Sequence, residues 1–242
     1  VCGEGGAVGG EPQARERIVR QLEQAGVGLW NDKVGSDRPP TQMRIFLCPM
    51  AQVSIDNFAV IRELQSLRKA SLTGSRIDDW YIEHLSALDN LEEVRLVDTR
   101  ITDKSLDALS HLKRLRRLII AFCPKITDKG VERLRNLTNL EELVLTDVPG
   151  LTGPGLVAVQ EMTKLRELDI SWTSVGDEGI AAIGRHVALQ KLTCEECNIT
   201  DQSLKAMELM PNLRELVVDD TRITKSAIGA FRKAHWTVKI SY

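Results

Sequence analysis

A block of 24 residues, repeated end to end, constrains what this chain can fold into more than any other feature. "LEEVRLVDTRITDKSLDALSHLKR" starts at Leu91 and "LRRLIIAFCPKITDKGVERLRNLTN" at Leu115. "LEELVLTDVPGLTGPGLVAVQEMTK" follows from Leu140, "LRELDISWTSVGDEGIAAIGRHVA" from Leu165, and "LQKLTCEECNITDQSLKAMELMPN" from Leu189. Blocks from Leu67 and Leu213 flank these five, and "MRIFLCPMAQVSIDNFAVIRELQS" from Met43 fits the same frame with Phe46, Cys48 and Val53 at apolar slots. Fixed self-similarity at such a period is the signature of a stacked repeat architecture.

Each block has two halves. The first alternates apolar and polar residues with period two, as a short strand with one buried face does. The second opens on Thr beside Asp (Thr102-Asp103, Thr127-Asp128, Thr200-Asp201), the residue types that cap helix N-termini, and continues with an apolar residue at about every third position, such as Leu106, Leu109 and Leu112. One strand and one short helix cannot enclose a core. Stacked, such units share one, with a parallel sheet on one side and helices on the other. With 43% hydrophobic residues but only 4% aromatics, that core must be aliphatic.

The repeat resembles the leucine-rich repeat family over residues 43–236, as eight units of about 24 residues. Its "ITD" form is similar to the cysteine-containing repeats of ubiquitin-ligase adaptors and of bacterial, planctomycete-type repeat proteins. The F-box helices that mark those adaptors are not recognisable in residues 1–42. The resemblance implies an α/β solenoid, a horseshoe with a parallel β-sheet on its concave face and helices on its convex face. It also implies that the concave strands bind a protein partner.

The ends fit this frame. Residues 1–11 are Gly-rich and read as a linker, a disordered segment, or what remains after removal of a signal peptide. Residues 12–42 read as a capping helix, with Ala14, Ile18, Leu22 and Ala25 on one stripe, followed by an irregular connector. Residues 237–242, "TVKISY", continue the period as an edge strand with Ile240 and Tyr242 at inward slots.

The pair Cys194 and Cys197 has the spacing of half a zinc site or of a redox pair. In register, Cys194 takes the strand slot of Leu72, Leu96 and Leu145, and Cys197 takes the small-residue slot of Ser75, Thr99, Thr173 and Thr221. Cys123 holds the Cys197 slot and Cys48 the Cys194 slot of other units, so the pair reads as architecture, with no metal expected. Asp219, Asp220, Glu195 and Glu196 could coordinate Ca²⁺, although a solvated acidic patch is the preferred reading. The four histidines fall in or after the helical halves and read as surface residues; "LTGPGL" lacks the Lys-Ser/Thr of a phosphate-binding loop. No catalytic constellation, cofactor motif or small-molecule site is expected.

Lys plus Arg numbers 32 against 34 Asp plus Glu, a net charge of −2 that gives no pull toward nucleic acid. No apolar run approaches the roughly 18 residues of a membrane span. Five cysteines without a disulfide rhythm leave the compartment open between exported and cytoplasmic. On the concave face, Arg68, Glu92, Arg116, Glu141, Arg166, Gln190 and Arg214 form a ladder of nearly alternating charge that reads as structural. The middle of that face carries Ile119, Ala121, Phe122, Val144 and Trp172, with Asp169, Glu195 and Asp219 toward the C-terminal end. An apolar centre ringed by charge is how protein interfaces are built, so Phe122 and Trp172 are the expected anchors, with Ile119 and Val144 as floor. The expectation is a non-catalytic protein-binding scaffold, with the acidic residues steering a basic partner segment. The alternative is a subunit docked permanently in a larger assembly, through its edges or through Trp80 and Tyr81 on the helical side.

Overall fold

In the computed structural model, residues 11–24, 27–30, 42–46 and 58–242 are described. Cys2, Cys48 and the Gly-rich start lie outside them. Among the described residues, ten strands form one sheet in chain order: β1 (Val27–Trp30), β2 (Gln42–Phe46), β3 (Lys69–Thr73), β4 (Glu93–Val97), β5 (Arg117–Ala121), β6 (Glu142–Thr146), β7 (Glu167–Asp169), β8 (Lys191–Thr193), β9 (Glu215–Val217) and β10 (Lys239–Ser241). β1 runs antiparallel to β2, and every later pair is parallel. The helix α1 (Glu11–Gln24) precedes the sheet, and α2 (Asp79–Leu85), α3 (Asp103–Leu109), α4 (Asp128–Arg133), α5 (Asp177–Ile183), α6 (Asp201–Met207) and α7 (Lys225–Ala234) return the chain to the next strand. Between β6 and β7 a 3₁₀ helix, Pro154–Glu161, replaces the α-helix.

Period-two patterning puts one column of side chains between sheet and helices. Leu118, Leu143, Leu168, Leu192 and Leu216 occupy one inward position in successive strands, and Leu96, Ile120, Leu145, Ile170, Cys194 and Val218 the next; all are buried. Each buried leucine or isoleucine contributes about 1.5–3 kcal/mol relative to exposure. Ile18 and Leu22 of α1 are buried at the N-terminal end, where the helix packs on β1 and on the turn Val60–Glu63.

A second set of bonds joins neighbouring units at their helix N-termini. Thr102, Thr127, Thr200 and Thr224 cap their helices with their own hydroxyls. The Asp that opens each of α2 to α6 reaches forward to the Thr of the next unit. Asp79 accepts from the backbone N–H and the hydroxyl of Thr102, both at 2.7 Å, and from Ser105. Asp103 does the same to Thr127 at 2.8 and 2.7 Å, Asp177 to Thr200 at 2.8 and 2.7 Å, and Asp201 to Thr224 at 2.7 and 2.9 Å. Asp128 accepts from Thr152 and from the N–H groups of Gly153 and Gly155. Burial by itself raises the carboxyls of Asp79, Asp128 and Asp177, but these hydrogen bonds outweigh it and hold all three below the ordinary value of 3.8.

Between the units from Leu67 onward, the joint at Gly153 and Gly176 lacks the clasp. Gly153 stands where the Asp would be and Gly176 where the capping Thr would be. Gly153 has φ +135°, and a Cβ there would lie 2.9 Å from the Cα of Gly179. Close backbone contact replaces the carboxylate at this joint, which is also where the 3₁₀ helix departs from the pattern.

The structure corrects several expectations. Val27–Trp30 is a strand where an irregular connector is expected. β2 aligns Ile45, not Cys48, with Leu72, so the first unit is shifted by three residues from the 24-residue frame. "MRIFLC" is apolar at nearly every position, so alternation cannot choose its register. Tyr242, expected at an inward slot, is exposed beside Arg232, whose guanidinium lies 4.7 Å from the ring centre and whose hydrogen bond to the Ile240 carbonyl at 2.9 Å holds it there. Tyr81 is buried against Phe58 at 4.9 Å between ring centres, which removes it from any docking surface. His84 and His186 are buried rather than superficial. His84 stacks on Trp80 at 4.0 Å and its Nδ1 is 2.9 Å from the Trp80 carbonyl. His186 occupies the slot of Leu88, Leu112, Leu137 and Met162, with Nε2 3.1 Å from the Met162 carbonyl and Nδ1 unpartnered.

Two outcomes follow for stability. Asp79→Ala removes three acceptor bonds at one joint and is expected to cost on the order of 3 kcal/mol, read by urea unfolding. The depressed Asp carboxyls make their contribution in full above about pH 4 and lose it as pH falls through their folded values, which lie under 3.8. Burial pushes His186 below its ordinary value of 6.5, so the neutral ring is the folded form. Its contribution is complete above about pH 6.5 and declines as pH falls toward the folded value. His186→Leu is therefore expected to flatten the dependence of the unfolding midpoint on pH between about 8 and 5.

Candidate functional site

The helices cover one face of the sheet, and the other, concave face is open. Its side chains fall into rows that cross the strands. The first row is Lys69, Glu93, Arg117, Glu142, Glu167, Lys191, Glu215 and Lys239, set by the strand register. Arg117 lies 3.8 Å from Glu93 and 2.6 Å from Glu142, and Lys191 lies 3.2 Å from Glu215. The expected ladder one residue earlier forms Arg68–Glu92 at 3.7 Å and Arg116–Glu141 at 3.4 Å. These pairs are solvent-exposed in large part and contribute about 0–1 kcal/mol each. The second ladder was not recognised in the sequence, although charges at the same position of successive blocks point to it.

The second row holds the candidate floor. Ile119 pairs with Val144, Val144 with Asp169, Asp169 with Thr193, and Thr193 with Val217. Ile119, Val144, Asp169 and Val217 are half-buried. Val217 extends the row and is missed by a reading centred on the middle of the sheet. Asp169 uses one carboxylate oxygen to accept from the Ser171 N–H at 2.9 Å. The third row runs Thr73, Val97, Ala121 and Thr146 through the paired strands. Ser171, Glu195 and Asp219 continue it; Glu195 N–H donates to the Ser171 hydroxyl at 3.2 Å.

Phe122 and Trp172 lie on none of these three rows. They stand at the corner where the chain leaves each strand, at φ 55° and 61°. The same left-handed corner recurs at Asp98, Asp147, Glu196 and Asp220, with Gly74 at the equivalent place in the first of these units. It persists because the corner N–H continues the ladder to the next unit: Phe122 to Thr146 O at 3.0 Å, Asp147 to Ser171 O at 3.1 Å, and Trp172 to Glu195 O at 2.8 Å. Strand alternation therefore does not aim the two aromatics; the corner does. They are 52% and 54% exposed, one on each side of Asp147 along the rim. Asp tolerates a left-handed backbone, whereas a bulky side chain there is uncommon. The corner positions could have been found from the sequence, since the residue before the small-residue slot is Gly, Asp or Glu in five of the seven blocks from Leu67, where continued alternation would put an apolar residue.

The cysteines sit inside. Cys194 is buried in the inward strand position, and burial lifts its thiol well above its ordinary 9.0. Cys197 donates to the Ile170 carbonyl at 3.1 Å and lies 3.6 Å from the Thr173 hydroxyl. Cys123 lies 3.1 Å from the Thr99 hydroxyl and donates to the Ala121 carbonyl at 3.3 Å. Burial raises both thiols. Among the described residues no three His, Cys, Asp or Glu side chains converge as metal ligands, and no helix is long and apolar enough to cross a membrane.

Comparisons with known proteins agree with this architecture. A leucine-rich repeat family model matches residues 111–134 and 161–184. An internalin from Listeria monocytogenes is similar in structure, with a TM-score of 0.57 and 19% identity over 76% of this chain and 49% of the internalin. A plant ice-binding protein is similar with a TM-score of 0.58 and 15% identity over 87% of this chain and 72% of its own. The chain thus spans about half the length of the internalin it matches. These likenesses establish the fold: a leucine-rich repeat solenoid, an architecture commonly used as a protein-interaction scaffold.

If the cysteines are structural, native protein at about pH 8 should leave Cys123, Cys194 and Cys197 unmodified by iodoacetamide, and unfolded protein should lose that protection. Peptide mapping by mass spectrometry reads the result.

Proposed function

We propose that this chain is a non-catalytic scaffold that holds a protein partner on its concave face. Phe122 and Trp172 anchor the partner, Ile119 and Val144 form the floor, and Asp169, Glu195 and Asp219 steer a basic segment onto it. One observation carries the reading: two large aromatic side chains, more than half exposed, stand at corner positions that four other units fill with Asp or Glu. Exposed aromatics in a shallow apolar centre with a charged surround have the make-up of interface hot spots. The repeat itself, with cysteine or threonine at the Cys197 slot of five units, supports placing the chain beside the cysteine-containing and planctomycete-type repeats.

The alternative, a subunit docked through its edge in a larger assembly, draws on a different patch. Val187, Leu209 and Trp236 are 62%, 56% and 84% exposed on the helix-to-strand connections of the last three units. The equivalent connections earlier in the chain carry polar residues such as Asn136 and Lys164, and Asn90 and Asn139 there donate to the preceding connection at 2.8 Å.

The test is retention of a partner from the native host by the tagged chain. Phe122→Ala/Trp172→Ala should weaken retention by at least about 100-fold while the unfolding midpoint stays within experimental error. Retention unchanged in that variant but lost in Trp236→Ala would move the interface to the C-terminal connections.

A further inference from the structure

The arrangement of the rim narrows what kind of side chain it can hold. Its corner positions run Gly74, Asp98, Phe122, Asp147, Trp172, Glu196 and Asp220, with no Lys or Arg among them. The adjoining row of Thr73, Val97, Ala121, Thr146, Ser171, Glu195 and Asp219 carries none either. The nearest basic residues along the chain are exposed: Arg76, Arg100, Lys125 and Arg222 come two or three residues after a corner, where the backbone has already turned toward the helix, and Arg95 stands on β4 beside Ile119, toward the N-terminal end of the face.

Successive strands lie about 4.8 Å apart, so Phe122 and Trp172 are separated by about 10 Å, with Asp147 midway between them. The backbones of Phe122 and Trp172 thus each stand about 5 Å from that of Asp147, close enough for their side chains to bring a ring within the roughly 6 Å over which an aromatic face attracts a positive charge. An apolar side chain in the same notch would cover the Asp147 carboxylate without pairing it, which is costly. An acidic side chain would meet Asp147 directly and lie about two strand spacings, roughly 10 Å, from Asp98 and Glu196, and the same repulsion disfavours a nucleic-acid backbone.

We propose that the notch over Asp147, between Phe122 and Trp172, receives one arginine or lysine side chain from an extended basic segment of the protein partner. This rests on the concave-face reading above and specifies its central contact. The two rings flank the cation, Asp147 neutralises it, and Glu195, Glu196, Asp219 and Asp220 draw further basic residues of the segment along the rim. Arginine is the better fit, because its planar guanidinium stacks on aromatic rings while pairing with a carboxylate.

The test is selection of random peptides of about twelve residues on the full chain, followed by synthesis and titration of those enriched. The expected result is one position fixed as Arg or Lys. Replacing that residue by neutral citrulline or norleucine should weaken binding about tenfold, and Asp147→Asn about as much. Asn tolerates the left-handed corner, so this variant keeps the fold. Affinity for the parent should fall with added salt, and less steeply for Asp147→Asn. Peptides that depend on Phe122 and Trp172 but show no fixed basic position, and bind Asp147→Asn equally well, would overturn the notch and leave the concave-face reading standing. Peptides indifferent to both aromatics, or failure to select any, would overturn the two together.

Discussion

The molecule depends on the inability of any one unit to enclose its own core. A five-residue strand and a two-turn helix leave their shared apolar side open at both ends of the stack, so every unit is finished by its neighbours. The leucine columns meet this requirement with dispersion and burial, which tolerate small misalignments. The Asp clasps add direction. A carboxylate at the start of one helix, bonded to the Thr at the start of the next, fixes how far one unit can rotate against another. Where Gly153 and Gly176 replace the pair, backbone contact between Gly153 and Gly179 takes over, and the neighbouring helix changes type.

The same stacking creates the surface that binding would use. To pass a hydrogen bond to the next unit after the strand ends, the chain turns through a left-handed corner. That corner sends one side chain per unit onto the rim, whatever its chemistry. Six of these positions hold non-glycine residues despite the backbone cost, four of them acidic and two aromatic. The fold dictates that something stands there; it does not dictate Phe or Trp. On the proposed reading, function enters at positions where stacking is indifferent to the side chain, while the inward rows remain uniform.

Which parts were legible in the sequence follows from this division. Strand, cap and inward slots of the units from Leu67 onward repeat with the periods of their local structure, so the buried roles of Cys123, Cys194 and Cys197 could be read from register alone. Register failed at β2, where apolar residues fill both faces of the pattern. Tyr81 and His186 were misplaced because an amphipathic or polar side chain says little about burial until its neighbours are known: Phe58 is remote in sequence from Tyr81, and only alignment with Leu88 and Leu112 reveals the slot of His186. The Asp clasp was half visible. Thr102 was recognisable as a cap, but its bond to Asp79 joins different units and leaves no local trace beyond the recurrence of Asp. Ile119, Val144 and Asp169 could be assigned to one row by strand alternation, whereas Phe122 and Trp172 owe their exposure to a corner that alternation does not describe.

In the proposed function, recognition belongs to the open sheet and its rim, and the helices support them. The most direct test of that claim is site-specific photocrosslinking in the native host, with benzoylphenylalanine introduced at Thr146 beside the aromatic pair and, separately, at Leu209 on the C-terminal connections. The account predicts a discrete adduct from the Thr146 position, joined to a partner peptide that contains Arg or Lys. An adduct formed only from the Leu209 position would contradict it and give the C-terminal edge the binding role.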